Sequence, residues 1–337
     1  MTPTVVSPAG ITWQWSYALR GLVTAAPAAL AALWDVQLAA ALTVGLLPVC
    51  PLPLPPTRAG RVRLGAYGVL AAASILLGGV LAQWPPIAVA GLVLAGGALG
   101  SAVARYRRPV MLLGLLLCLP LYAVGLSYSG ADAVLGIAAD ILLGSAWAVA
   151  VAVMWPQGLG GAEPEAPTPG PPAVDMVVYG WAAGVAGASC AAIGFAADLE
   201  HVGWAPAAAL LVMRPNPPAQ RLRSAGRLAD VAVGALLAIL LVLAGPPAWV
   251  YAIVMLLVGV AATATSGSRW YVLPTFTTFL VFVLLLAQHP ADAEIRFWER
   301  LLETGLGVGV AALTSFVLVP ALEGRLVRSR DRAAGRG

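Results

Sequence analysis

The sequence contains no lysine, and all 19 of its basic residues are arginines. A phosphate-binding GxxxxGK[ST] loop needs a lysine, and so does an enzyme that forms a Schiff base with its substrate. The absence of lysine excludes both a phosphate-binding loop of this kind and a Schiff-base enzyme for this chain. It therefore cannot contain an ATP-driven motor of the P-loop kind.

Charge of either sign is also scarce. Only 10% of the residues are charged and 60% are hydrophobic, whereas about a quarter of the residues in a soluble domain are charged. The mean hydropathy is +0.89. Lipid must therefore be the solvent for most of the chain, and the fold class that we predict is an all-α, polytopic membrane protein.

Residues that commonly bind metals are few. The cysteines Cys50, Cys118 and Cys190 lie far apart inside apolar runs, and the histidines are His201 and His289. This spacing is not typical of a zinc site or of a disulfide framework. We expect the cysteines to be buried packing residues, and we expect no metal and no other cofactor.

Twelve apolar segments are predicted to span the membrane, because a spanning helix needs roughly 17–25 predominantly apolar residues. The predicted spans are Tyr17–Trp34, Val36–Val49, Leu64–Trp84, Pro86–Ala104, Pro109–Tyr128, Asp132–Trp155, Met176–Ala196, His201–Met213, Ala225–Ala244, Pro246–Thr265, Tyr271–Gln288 and Phe297–Val319. Six of them fall in each half of the chain.

Residues 156–175 separate the two sets of spans. This stretch is rich in proline, glycine and acidic residues, which is typical of a linker. The predicted domains are a first six-helix repeat at 1–155, a cytoplasmic linker at 156–175, a second six-helix repeat at 176–320 and an arginine-rich cytoplasmic tail at 321–337.

The arginines fall mostly on one side of the predicted membrane. If both termini are cytoplasmic, most arginines lie in cytoplasmic loops and the tail, and the opposite loops are acidic with Arg296 and Arg300 as exceptions. Cytoplasmic loops of membrane proteins carry the same bias. The pattern predicts a multi-pass plasma-membrane protein with both termini in the cytoplasm, and the composition indicates a bacterial source.

The two halves of the sequence repeat. A shift of about 163 positions pairs similar residues in order along the chain, which predicts a duplication. The pairs are Tyr17 and Tyr179, Asp35 and Asp198, Arg63 and Arg227, Arg105 and Arg269, Asp140 and Glu303, and Pro156 and Pro320. Because six is an even number of spans, the halves would be parallel repeats, and such repeats build a site or pathway at their interface.

The second span of each half is short. Val36–Val49 ends at a proline-rich stretch, and His201–Met213 contains Pro206 and is followed by three more prolines. Short, proline-interrupted segments at matching positions of two repeats indicate a transporter's binding site. The alternative is that both helices are merely short and tilted.

Several ionisable residues lie inside apolar spans, where charge is costly. Asp140 lies in span six and its repeat partner Glu303 in span twelve, close to Arg300, while Arg227 and Asp230 share one face of span nine. A buried carboxylate can carry a coupling proton, and an arginine can hold an anion by charge-assisted hydrogen bonds. The alternative is that Arg227 with Asp230, and Arg300 with Glu303, are structural ion pairs.

Two segments of the second half resemble a known family. They are His201-Val-Gly-Trp204-Ala-Pro206 with Val212-Met-Arg214-Pro215 and, later, Arg227 with Gly234; and Arg300-Leu-Leu-Glu303-Thr304-Gly305-Leu-Gly307. Both are similar to the fusaric acid resistance protein-like family, also called aromatic acid exporters or integral membrane bound transporters. The resemblance covers roughly residues 179–320.

The resemblance implies a transporter of aromatic or other organic anions in the bacterial plasma membrane, and related plant proteins are anion channels. It implies functional roles for a set of residues in the second half, namely His201, Trp204, Arg214, Arg227, Arg300 and Glu303. Asp230 stands where the family pattern has a small or hydroxyl residue, so its role would be specific to a subgroup.

The leading hypothesis is a secondary transporter that exports a small organic anion, with aromatic acids as one candidate class, in exchange for protons. Arginines, His201 and Trp204 would bind the anion, and Asp140, Asp230 or Glu303 would carry the proton. A passive anion channel, an intramembrane enzyme acting on lipid-linked substrates and an accessory scaffold remain open. The expected partners are the lipid bilayer and the anion, with a homo-oligomer as an open alternative, but no nucleic acid.

Overall fold

The structure is a computed structural model that describes residues 11–106, 109–128, 130–156, 173–266, 268, 272–287 and 289–320. Every regular element in these ranges is helical, which confirms the all-α class. The predicted linker and tail lie almost wholly outside the described residues, as do Arg107, Arg108 and Arg269.

Fourteen α-helices are found in the described ranges. They are α1 (Trp15–Ala31), α2 (Val36–Leu46), α3 (Arg58–Arg63), α4 (Gly65–Leu81), α5 (Pro85–Tyr106), α6 (Pro109–Leu113), α7 (Leu119–Gly125), α8 (Ala131–Met154), α9 (Ala173–Ala196), α10 (Trp204–Val212), α11 (Pro217–Leu243), α12 (Ala248–Ala264), α13 (Val272–Leu286) and α14 (Ala293–Leu313). A π-helical turn, Gly114–Cys118, joins α6 to α7, another, Thr314–Leu318, follows α14, and the 3₁₀ turn Pro290–Asp292 precedes α14.

Each predicted span overlaps a helix, but fewer than twelve helices have the length of a span. Six of the described helical stretches are long and apolar enough to cross a membrane, namely Arg58–Leu81, Pro85–Tyr106, Val134–Met154, Asp175–Ala196, Pro217–Leu243 and Pro290–Leu318. The others are shorter. The helices therefore indicate a multi-pass membrane protein, and the twelve-span count is not confirmed.

The short helix α2 illustrates the difference. Its 11 residues extend about 16 Å at 1.5 Å per residue, roughly half the thickness of a hydrocarbon core. Arg20 donates hydrogen bonds to the carbonyl oxygens of Cys50 (2.7 Å) and Leu52 (3.1 Å), and Arg61 donates one to Pro55 (2.9 Å). Non-helical backbone at membrane depth needs such partners because lipid offers none.

The short helix α10 differs from its prediction in one respect. It begins at Trp204, so Pro206 is its third residue. A proline in the first turn of a helix removes no intrahelical hydrogen bond, because the N–H at that position has no partner within the helix. Pro206 therefore does not interrupt α10. The helix has only nine residues because it begins at Trp204 and ends at Val212.

The helices pack into two compact units. Unit 1 comprises Met1–Ala73, Leu135–Thr168 and Arg227–Leu301, and unit 2 comprises Ser74–Val134, Pro169–Gly226 and Leu302–Gly337. Each unit therefore contains residues from both predicted halves of the chain.

In unit 1, α1 packs against α12, and α2 packs against α1, α12 and α13. Glycines allow close approach where α2 meets α8: a Cβ on Gly45 would lie 2.2 Å from the carbonyl oxygen of Asp140, and one on Gly144 would lie 2.5 Å from the carbonyl carbon of Gly45. The core between these helices is built mainly of alanine, leucine and phenylalanine side chains.

In unit 2, α5 packs along α9, and α10 packs against α7 and α9. Gly96 and Gly100 of α5 lie against Gly180 of α9, and Gly307 of α14 lies against Ala205 of α10. Small residues at such crossings let helix backbones approach closely, which is common in membrane bundles.

In unit 1, the polarity of α11 is the reverse of that of a helix in a soluble protein. Large apolar side chains of α11, among them Leu236, Leu240 and Leu243, are exposed, whereas Arg227 and Asp230 of the same helix are buried. Exposed apolar faces around buried charges are expected where lipid is the solvent.

Candidate functional site

Unit 1 contains a cluster of buried charged residues. Arg227 Nη1 donates a hydrogen bond of 3.1 Å to Asp230 Oδ1, and both side chains are almost fully buried. Asp230 also interacts electrostatically with Arg300, a buried residue of α14. We call Arg227, Asp230 and Arg300 the charged cluster.

Several polar atoms in and beside the charged cluster lack hydrogen bonds. Among the described residues, Arg227 Nε, Asp230 Oδ2 and Thr278 Oγ1 are buried and have no hydrogen-bond partner. Thr278 of α13 lies against Gly234, where a Cβ would be 3.0 Å from its own Cβ, and Gly234 is one turn after Asp230 on α11. Buried polar atoms without hydrogen-bond partners are costly. Of these three atoms, Arg227 Nε and Thr278 Oγ1 can donate a hydrogen bond, whereas Asp230 Oδ2 is an acceptor.

The charged cluster lies deep in the unit. Asp230 is the fourteenth residue of α11 and Arg300 the eighth of α14, which places them roughly 20 Å and 10 Å along their helices. The two helices are among those long enough to cross a membrane. Ionisable residues at such depth are expensive and are typical of substrate and ion pathways.

Asp140, the remaining predicted site residue of unit 1, lies apart from these side chains in sequence and on another helix, α8. It is half-buried, and its backbone carbonyl packs against Gly45 of α2. In the described part of the chain its side chain makes no hydrogen bond or ion pair.

Unit 2 contains the predicted site residues His201 and Trp204. Their rings stack with a centroid distance of 3.9 Å and an interplanar angle of 17°, and Trp204 is 2% exposed. Ser127 Oγ accepts a hydrogen bond of 2.9 Å from the Gly203 N–H, which fixes the start of α10 against α7. The burial of Trp204 sets it apart from the exposed tryptophans at helix ends, such as Trp84 and Trp249.

Glu303 is buried in the unit 2 part of α14. The next residue, Thr304, is also buried, and its hydroxyl has no hydrogen-bond partner among the described residues. One turn further on, Gly307 meets α10 at Ala205. The predicted pairing of Glu303 with Arg300 stays a prediction.

Arg214 lies beside a cavity of about 220 Å³ at the end of unit 2 where α10 stops. The lining residues come from α9, the α10–α11 loop, the start of α11 and the end of α14; they are Asp175, Val178, Tyr179, Ala182, Met213, Arg214, Pro215, Pro217, Gln220, Ser315, Val319 and Pro320. We call this space the Arg214 cavity.

Hydrogen bonds hold the wall of the Arg214 cavity in place. The Tyr179 hydroxyl donates to the carbonyl oxygen of Met213 (3.3 Å), which also accepts from the Arg214 guanidinium. Gln220 is fully buried; its Oε1 accepts from the Arg214 N–H (3.3 Å), and its Nε2 donates to the carbonyl oxygen of Ala311 (3.1 Å). Gln220 therefore ties the Arg214 loop to α14.

The Arg214 cavity has a positive side. Arg214 and Arg223 both interact electrostatically with Tyr179 and with each other. Burial lowers the pKa of the Arg214 guanidinium from its ordinary value, and the neighbouring Tyr179 hydroxyl opposes that shift. Arg214 lines the cavity, and Arg223 lies close enough to interact with Arg214 and Tyr179 of its wall, so positive charge on this side favours an anion.

The structure thus brings some predicted residues together and leaves others apart. Arg227, Asp230 and Arg300 meet in unit 1, and His201 stacks on Trp204 in unit 2, whereas Arg214 belongs to a separate cavity.

Four residues that bind carbonyl groups or line the Arg214 cavity were missed from the sequence: Arg20, Arg61, Tyr179 and Gln220. For Arg20 a signal was present, since it is a single charge inside an apolar helix. The polar side chains of the other three adjoin loops and carry no such signal.

Residues 188–314 match the model of a family described as fusaric acid resistance protein-like. The match supports the family predicted from the sequence and points to membrane transport or efflux. It includes every predicted site residue except Asp140. Neither the curated proteins nor the solved structures compared with this chain gave a match.

Proposed function

We propose that this chain is a secondary transporter that exports a small organic anion, with aromatic acids as one candidate class, across the bacterial plasma membrane in exchange for protons. The main observation that supports this proposal is the charged cluster of unit 1. A carboxylate ligand has only acceptor atoms, and the cluster offers it the unsatisfied Arg227 Nε–H and the nearby Thr278 hydroxyl. The match to a family of membrane transport supports the same conclusion.

Within unit 1, Arg300 would add positive charge to the charged cluster. Within unit 2, His201 and Trp204 would supply an aromatic surface, and Arg214 would supply positive charge at its own cavity. The guanidinium groups bind an anion by charge-assisted hydrogen bonds, which are about twice as strong as neutral ones.

Carboxylates would carry the coupled proton. Asp140 of α8 and Glu303 of α14 are 163 positions apart and lie one in each unit. Burial favours the neutral form of a carboxyl group, so such a group can take up and release a proton in the course of transport. Asp230, the ion-pair partner of Arg227, is the third candidate.

We also propose that the chain is a duplication of six helices. The same shift relates α1 to α9, α2 to α10, α5 to α12 and α7 to α13. The packing of α1 on α12 in unit 1 then corresponds to that of α9 on α5 in unit 2, and α2 on α13 to α10 on α7. The close-approach glycines Gly144 and Gly307 are also 163 positions apart.

The proposal is tested with the full chain in liposomes, by measuring uptake of radiolabelled benzoate with and without an imposed pH gradient. We expect uptake above that of protein-free liposomes, accelerated by the gradient. Arg227→Gln should reduce the rate about tenfold or more, since a hydrogen bond to a charged group contributes about 1.5–3 kcal/mol. The matched control is Arg221→Gln, which changes an exposed arginine of the same helix.

Two results would change the conclusion. Uptake that follows an imposed membrane potential and ignores the pH gradient would make the protein a passive anion channel. Uptake that Arg227→Gln leaves as fast as in the wild type would remove the charged cluster from the anion pathway.

A further inference from the structure

After each of the short helices α2 and α10, a side chain binds a backbone carbonyl group. The space beside this contact is filled differently in the two units. Each is followed by a carbonyl group that a side chain from the preceding long helix binds: Cys50 O accepts from Arg20 of α1, and Met213 O accepts from Tyr179 of α9. Cys50 and Met213 are 163 positions apart. The two places are therefore counterparts, and they can be compared side chain by side chain.

In unit 1 this place is filled by the protein itself. The Arg20 guanidinium lies over the Tyr17 ring, 4.7 Å from its centroid, and donates hydrogen bonds to the carbonyl oxygens of Cys50 and Leu52. Arg20 is 3% exposed. One long cationic side chain therefore occupies the space between the helix and the loop.

In unit 2 the corresponding long side chain is missing. Arg20 follows Tyr17 by three residues, and the residue that follows Tyr179 by three is Ala182, which lines the Arg214 cavity. The cavity of about 220 Å³ lies beside the alanine. The positive charge is retained in this unit, but it comes from Arg214 in the loop and from Arg223 nearby.

The charge of the Arg214 cavity selects its ligand. The lining contains one guanidinium group, that of Arg214, and one carboxylate, that of the exposed Asp175. Arg223 interacts with Arg214 and Tyr179 of the wall and adds a second positive charge, so these three residues leave a surplus of one positive charge, which suits a singly charged anion. Ser315 adds a hydroxyl donor from the π-helical turn Thr314–Leu318, and π-helical turns occur frequently at functional sites.

We infer that the Arg214 cavity is a second anion-binding site, distinct from the charged cluster, which takes one singly charged anion, and that its counterpart in unit 1 is closed by Arg20. If the proposed function holds, the transported carboxylate is the first candidate for this anion. The headgroup of an anionic lipid has the same charge and is the other source.

The test uses the full chain, with its native cysteines replaced and Val178→Cys introduced into the cavity wall, in phosphatidylcholine liposomes. The rate of reaction with a water-soluble maleimide is measured as benzoate is added. We expect benzoate to slow the reaction in a saturable way. Arg214→Gln should raise the benzoate concentration required about tenfold or more, and Arg58→Gln, which changes an exposed arginine of unit 1, should leave it unchanged.

Ala182→Arg is the second variant, because it restores the side chain that closes the counterpart in unit 1. It should abolish protection by benzoate even if Arg214→Gln folds poorly. Protection that persists unchanged in both variants would overturn the inference, as would an absence of protection in the parent. If phosphatidylglycerol slows the reaction without benzoate, the bound anion is a lipid headgroup.

Arg227→Gln separates this inference from the proposed function. We expect it to reduce benzoate uptake and to leave the protection of Val178→Cys unchanged. Protection that depends on Arg214 in a protein without uptake would contradict only the proposed function. Uptake without such protection would contradict only the second site.

Discussion

Arg227 and Asp230 form a buried ion pair, and the two residues differ in their charged neighbours. Asp230 interacts with both Arg227 and Arg300, so removal of its charge takes a neighbouring carboxylate away from two buried guanidinium groups. Removal of the Arg227 charge leaves Asp230 with Arg300 still nearby. The loss of one partner of a buried pair costs about 3–5 kcal/mol, most of it from the charge left behind.

Asp230→Asn should therefore lower the thermal stability of the detergent-solubilised protein more than Arg227→Gln does. The double variant should be less destabilised than the sum of the two, because neither charge is left alone. Glu299→Gln, in the partly exposed pair with Arg296, is the control and should change stability by about 0–1 kcal/mol. Strictly additive effects of Asp230→Asn and Arg227→Gln would show that the two side chains are not coupled.

At the scale of residues, the sequence was sufficient to identify as candidate site residues the charged residues that lie inside apolar helices. The spacing of Arg227 and Asp230 on one helix face was sufficient to predict their contact, and the structure confirms it. The sequence could not predict the role of Arg61, because its acceptors include carbonyl groups at the end of α8, about ninety residues away along the chain. Loop carbonyl groups leave no mark in a hydropathy pattern.

Among the helices, the crossing of α14 with α10 depends on one glycine. A Cβ on Gly307 would lie 2.3 Å from the carbonyl oxygen of Ala205, whereas within the described part of the chain nothing lies within 4 Å of a Cβ on Gly305 or Gly309. All three glycines lie on α14, so they differ chiefly in the atoms that an added methyl group would meet.

Gly307→Ala should lower the stability of the solubilised protein by about 1–3 kcal/mol, since an added methyl group forces the two backbones apart. Gly305→Ala and Gly309→Ala should cause no loss, because alanine favours a helix over glycine. The measurement is the melting temperature of each variant in the same detergent. Equal melting temperatures for all three would contradict the close approach of α14 to α10.

At the scale of helices, the sequence predicted where helices lie better than how long they are. All twelve predicted spans overlap helices, because apolar composition alone identifies them. The lengths of α2 and α10 depend on tertiary contacts: the backbone after each can leave the helix because Arg20, Arg61 and Tyr179 bind its carbonyl groups. The contacts of Arg20 and Tyr179 join residues that are 30 and 34 positions apart in sequence.

At the scale of the whole molecule, the predicted topology depends on how many times the chain crosses the membrane. The predicted topology places Trp34 and Trp84 outside and Arg58 and Tyr106 inside, all of them exposed side chains. This requires α2, with its proline-rich continuation, to take the chain across despite having only 11 helical residues.

Single-cysteine variants at these four positions, in a chain without native cysteines, test the topology in whole cells. An impermeant maleimide should label Trp34→Cys and Trp84→Cys in intact cells, and Arg58→Cys and Tyr106→Cys only after lysis. Labelling of both Trp34→Cys and Arg58→Cys in intact cells would show that α2 does not complete a crossing, and would reduce the count of spans.

The central claim is the coupling of anion movement to proton movement, and proton flux in liposomes tests it most directly. A pH-sensitive dye inside the liposomes reports the proton movement that added benzoate drives, with protein-free liposomes as the blank. We predict a benzoate-dependent signal in the wild type that Asp140→Asn or Glu303→Gln abolishes while the chain still folds. Benzoate flux with no proton signal would contradict the claim. A signal that both variants leave unchanged would show that neither carboxylate carries the proton.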